Sequence, residues 1–153
     1  MLSQIERAQA NPTVAVVWRL ANALGVSIGE LLGSAPASER PGIELVAVQD
    51  TPALRNHDGS CELRILGPLP LAGRFEWYQL SLQPGGALES QPHEAGTQEH
   101  LTLVSGLLEV QAGAQLQRLK LGETARYAVD QPHTIRNVGK AVAHAWLVVV
   151  HPG

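Results

Sequence analysis

The sequence is short of several things, and each shortage excludes a class of protein. It has one cysteine, Cys61, in 153 residues. No intramolecular disulfide can form, so the chain is expected in a reducing, cytoplasmic setting. Cys61 itself reads as a small buried hydrophobe at the edge of a strand. Basic residues are outnumbered, 11 Lys and Arg against 14 Asp and Glu, for a formal net charge of −3. That excludes a strongly basic, non-specific nucleic-acid binder and leaves room for a local reader. No apolar run approaches the ~20 residues needed to cross a bilayer. The longest, AWLVVV at 145–150, reads as a buried strand. No signal peptide and no membrane partner are expected. There is no internal repeat and no low-complexity tract. What remains is 44% hydrophobic, enough to build a core.

The chain has two halves with different periods. In TVAVVWRLANALG, residues Val14, Val17, Leu20, Ala21 and Leu24 share one face of a 3.6-residue repeat. Thr13 suits an N-cap and Gly25 a stop. Ser27 and Glu30 have capping-box spacing and start a further short helix, SIGELLG. With LSQIERAQ at the front, 1–33 reads as three short helices. Residues 34–43, beginning SAPASERPG, read as a linker. From there the pattern becomes short apolar runs punctuated by Gly and Pro. Strands are expected at 43–48, 61–66, 74–82, 100–106, 107–113, 116–122, 125–129, 133–138 and 143–150. LQRLKL and RFEWYQLSL alternate as half-buried strands do. Nine short strands without intervening helices predict an antiparallel barrel or double-sheet jelly roll. Closure reduces the exposed edges.

In the first half Leu2, Ser3, Ile5, Glu6, Asn11, Pro12, Ala23, Leu24, Gly25, Val26 and Ser27 fall in a specific order. That order resembles the C-terminal part of the helix-turn-helix domain of XRE-type, phage-repressor-like transcription regulators. Ala8 stands where that family usually has glycine. The resemblance implies that LSQIERAQ ends the recognition helix and that two earlier helices belong upstream. Met1 is then an internal residue of a longer domain, a cut boundary, or the mark of a real loss of the DNA-reading half. Alone, such a remnant is too small to bury a dependable core. Ser3, Gln4, Arg7, Asn11 and Thr13 are the candidate DNA-binding residues. Gln pairs with adenine, Arg with guanine or phosphate, and the backbone near Thr13 can donate to phosphate. Residues 1–33 carry Arg7 and Arg19 against Glu6 and Glu30. Their net charge is zero, so little counterion-release affinity is available. The 153-residue chain by itself is expected to bind DNA weakly at best.

In the second half, Gly86, His93, Glu99 and Gly106 are followed, after a 15-residue spacer at 107–121, by Gly122, His133 and Asn137. These spacings resemble the two cupin motifs, over 44–153. Three positions depart from the family pattern. Ala95 replaces the second histidine of the His-x-His pair, and Ala128 and Asp130 replace a proline and a glycine. The resemblance implies a cupin double-stranded β-helix, a mainly β domain preceded by the small all-α helix-turn-helix remnant.

His93 and Ala95 are expected on one face of a strand, with Glu99 and His133 pointing into the same barrel mouth. Two imidazoles and a carboxylate suit a divalent ion such as zinc or iron. Gln91 is a weak fourth candidate. His100 should face outward. Three readings stay open: a buried hydrogen-bond network without metal, a metal that is structural or anchors a ligand, or a metal doing redox or Lewis-acid chemistry. His57, His144 and His151 read as isolated, structural or solvated. Trp77 and Arg136 are the candidate ligand-pocket residues, with Tyr78, Trp146, Arg64 and Arg74 behind them.

Together these features predict a transcription regulator, not an enzyme. A helix-turn-helix at 1–33 would read operator DNA, and a cupin at 44–153 would sense a small-molecule effector and form a homodimer. The rival is a small metal-dependent cupin enzyme of dioxygenase or isomerase type, which Ala95 argues against. A third reading is a cupin that does not bind DNA.

Overall fold

The computed structural model describes residues 42–152. The helices expected at 1–33, most of the linker, and Ser3, Gln4, Arg7, Asn11 and Thr13 lie outside the described residues. Ten strands follow in chain order: β1 Ala53–Arg55, β2 Cys61–Ile65, β3 Phe75–Leu82, β4 Ala87–Ser90, β5 Gln98–Ser105, β6 Leu108–Ala112, β7 Gln115–Leu119, β8 Thr124–Ala128, β9 His133–Asn137 and β10 Ala143–Val150. They form a six-stranded sheet in the order β1-β2-β3-β10-β5-β8 and a four-stranded sheet in the order β4-β9-β6-β7. Every pairing is antiparallel.

The inner faces of both sheets meet in one core. Leu63, Leu80, Leu82, Leu101, Leu103 and Leu147 come from the larger sheet, and Leu88, Leu108, Val110, Leu119 and Ile135 from the smaller. Each such side chain, fully buried, contributes roughly 1.5–3 kcal/mol. Period-two alternation is regular in β2 and β10, whose inner positions are Cys61, Leu63, Ile65 and Ala143, Ala145, Leu147, Val149.

Two motif residues show why the turns need them. Gly106 has φ +87°, and a Cβ there would lie 2.7 Å from Ala143 Cα. Asn137 is buried; its Nδ2 donates to Leu82 O at 2.9 Å and Ala141 O at 2.8 Å, and its Oδ1 accepts from Gly139 N at 2.9 Å. It thus ties β9 to β3 and to the β9–β10 turn.

Three expectations need correction. Residues 43–48 do not form a strand; Ile43 and Leu45 are exposed, and a 3-10 turn occupies Val48–Asp50. β-propensity cannot make a strand where no sheet edge is offered. In LQRLKL only Leu119 is buried, because β7 is an edge strand whose other residues face solvent. β1 and β4 were not foreseen. Both are short, three and four residues, and each is set by its partner, β2 or β9.

Candidate metal centre

One row across the larger sheet builds the site. Register places Glu76 of β3 beside Val149 of β10, Val149 beside Glu99 of β5, and Glu99 beside Tyr127 of β8. Glu76 and Glu99 are buried on the inner face. His133 opens β9 of the opposite sheet and reaches Glu99, with Nε2 3.3 Å from Oε1. The Tyr127 hydroxyl donates to the other oxygen, Oε2, at 2.7 Å.

His93 completes the group from a loop, not from a strand as the spacing predicts. β4 ends at Ser90, so the alternation expected for His93 and Ala95 does not apply. The loop is pinned instead by its backbone: His93 N donates to Val129 O at 2.8 Å. The His93 ring lies 5.2 Å, centroid to centroid, from that of His133. Donor atoms of His93, Glu99 and His133 lie within 4.8 Å of one another. Ala95 and Gln91 are both exposed. An exposed amide at 91 is not held against the buried group, which counts against Gln91 as a fourth ligand.

Burial and charge set the proton positions. Burial pulls the His133 imidazole down, but the Glu99 hydrogen bond and charge outweigh it and leave its pKa above the ordinary value. Burial keeps that of His93 below the ordinary value. The Tyr127 phenol is pushed well up by burial and by Glu99, so it stays protonated and donates. His133 Nδ1 sits 3.0 Å from Gln131 O. With the N–H kept on Nδ1, an ion that displaced the Nε2 proton would meet the lone pair of that nitrogen, the arrangement usual for a metal-ligating imidazole. Two imidazole nitrogens and a carboxylate, held this close, fit a divalent ion. His93, Glu99 and His133 would hold it, and it would supply a positive centre able to bind an anionic or carbonyl oxygen.

The structure also brings in residues that the sequence reading left out. His151 is not isolated: its Nε2 lies 3.0 Å from Glu76 Oε1, and its ring is 6.3 Å from that of His93. Glu76 also accepts from the Tyr78 hydroxyl and, at 3.3 Å, from Gly73 N. A register count could have found Glu76: stepping back by two from Leu82 through Leu80 and Tyr78, which the sequence already offered, puts it inside. Nothing local marks His151, which lies just beyond the end of β10.

The two pocket candidates fall elsewhere. Trp77 is on the outer face of β3, its ring 6.3 Å from that of Trp146. Arg136 is on the outer face of β9, 3.7 Å from Glu89. Both have the opposite strand parity to the inward residues beside them, Tyr78 and His133. Arg74 is exposed, Arg64 is occupied by Glu62 and Val48 O, and His57 is exposed. His144 contacts Ser81 Oγ at 3.0 Å. His100 is half-buried on the face of β5 away from Glu99, as expected.

A double-sheet β barrel with this His, Glu and His group in its interior defines a cupin. Comparison with known proteins agrees and adds the missing half. Residues 1–31 match the helix-turn-helix family HTH_3. The chain is 31% identical over 152 residues to the HTH-type transcriptional regulator SutR of Escherichia coli K12, covering 99% of this chain and 79% of that protein. A crystal structure of an HTH_3 family transcriptional regulator from Vibrio cholerae matches with TM-score 0.64 and 25% identity, over 100% of this chain and 80% of that one. The cupin domain of an XRE family transcriptional regulator from Enterobacter cloacae matches with TM-score 0.57 and 31% identity, over 61% of this chain and 99% of that one. The chain belongs to the XRE-type helix-turn-helix transcriptional regulators that carry a cupin domain.

Proposed function

We propose that the cupin senses a small-molecule effector at the His93–Glu99–His133 group and passes its state to DNA-reading heads paired in a homodimer. The observation that carries this reading is the joining of one largely buried three-donor cluster to a chain whose first 31 residues match a helix-turn-helix family. A divalent ion on those donors, zinc or iron, anchors the effector through an oxygen. The effector binds one barrel arrangement better than another and shifts the population between them. In the dimer that shift changes the spacing of two heads over paired half-sites.

Ser3, Gln4, Arg7, Asn11 and Thr13 are the proposed DNA contacts, in the cytoplasm where the chromosome lies. For the dimer we favour the outer face of β3 and β10. There Phe75 pairs with Val150, and Trp77 stacks near Trp146, all of them partly exposed. A cluster of exposed aromatics on a sheet face marks an interaction surface.

Chromatin immunoprecipitation of the protein as its native cell makes it, followed by sequencing of the recovered DNA, tests the regulator reading. A recurrent short palindrome is the expected result. Even recovery across the genome overturns it. The same experiment with Glu99→Ala checks the sensor: occupancy at those sites should change while the protein level does not.

A further inference from the structure

We infer that His151 is a ligand of the metal centre and takes the place of the histidine missing at Ala95. The inference rests on the metal reading of the His93–Glu99–His133 group. Position 95 is an exposed alanine and offers no donor. His151 is a buried imidazole beside the same group, its side chain 6% exposed. It enters from the opposite direction, off the end of β10, the strand that lies between the two buried carboxylates of β3 and β5.

The nitrogens carry the argument. His133 has one ring nitrogen on a backbone oxygen and the other turned to Glu99. His151 differs in that one nitrogen is left over: Nε2 is held by Glu76 at 3.0 Å, and Nδ1 has no hydrogen-bond partner among the described residues. Behind it, Glu76 is itself fixed by Tyr78 and Gly73 N. A carboxylate that accepts the far N–H of an imidazole fixes its tautomer and raises its basicity as a ligand. Burying a carboxylate is costly, and placing one behind a histidine that had only to fill space would gain little.

His93 stands between the two rings, 5.2 Å from His133 and 6.3 Å from His151, and neither of its nitrogens has a hydrogen-bond partner among the described residues. Backbone contacts tether the approach. His151 N donates to Arg74 O at 3.0 Å, and Pro152 Cβ lies 3.4 Å from where a Gly96 Cβ would be. Pro152 therefore rests on the loop that carries His93. His151 is outside the group whose donors lie within 4.8 Å, so coordination requires its ring to move toward them.

The test is zinc and cobalt binding by the full chain, with the cobalt d–d absorption band as a second readout. His133→Ala should abolish tight binding. His151→Ala should weaken zinc by at least the roughly 10- to 100-fold that loss of a partner behind a ligand costs, and shift the cobalt band. Zinc affinity in His151→Ala within about twofold of the native chain, with His133→Ala still inactive, overturns the role of His151 and leaves the three-residue centre standing. No binding by the native chain overturns both. If His151→Ala fails to fold by far-UV circular dichroism, zinc-edge X-ray absorption on the native chain decides: three imidazole ligands support the assignment and two overturn it.

Discussion

His133 and Cys61 show how far burial sets the chemistry of single side chains here. The imidazole of His133 is raised by Glu99 against the pull of burial. A raised folded value means that the charged pair stabilises the fold fully below the ordinary histidine pKa. That contribution is lost as pH rises through the folded value. In metal-free protein, the His133 NMR titration midpoint should therefore lie above the ordinary histidine value and drop in Glu99→Gln, which leaves only the Gln131 backbone contact to oppose burial. The Cys61 thiol is pushed up to about 12, by burial first and then by Asp58 and Glu62. It should resist iodoacetamide at pH 8 in the native state and react only on unfolding, which mass spectrometry reads directly. Thr97 Oγ1 is buried without a partner among the described residues. Thr97→Val removes an unmet polar group at nearly constant shape, so it should be neutral or stabilising by about 1 kcal/mol in urea denaturation. Loss of more than that would mean that the hydroxyl has a role the fold alone does not explain.

At the scale of elements, the turns decide more than the strands do. β5 turns into β6 through Gly106, which has a left-handed φ and sits against Ala143 at the start of β10. Gly106→Ala should cost about 1–3 kcal/mol from overpacking alone, with backbone strain added, measured as a shift in the urea midpoint at unchanged m. Gly122→Ala, with φ +81° but open space around it, should cost less. A reversed order would locate the strain in the backbone and not in the crowding. β3 shows an element read correctly and faced wrongly. Its position follows from RFEWYQLSL, but Glu76 points in and Trp77 points out. Hydrophobicity at its first half suggests the opposite. The leucines at 80 and 82 fix the face, and parity carries Glu76 inward with them.

For the whole molecule, the outward aromatics and the buried carboxylate behind the site belong to one design, because Phe75 and Trp77 alternate with Glu76 and Tyr78 along β3. Trp146→Asp puts a charge on the outer face without touching the core side of β10. We expect it to halve the mass seen by light scattering while far-UV circular dichroism stays unchanged. A native chain that is already monomeric removes that face as the dimer surface. Much of this protein was legible in the sequence alone. Eight of the nine expected strands are present, and His93, Glu99 and His133 do converge. Strand periodicity and motif spacing are local properties, written within a few residues of one another. What only the tertiary structure decided was the company these residues keep. Glu76 and His151 are 75 residues apart, and no local pattern links them. Closure of the sheet, with β10 inserted between β3 and β5, brings His151 back to the site. Sheet neighbours are chosen by the packing of the whole core, so a histidine that reads as solitary became part of the centre.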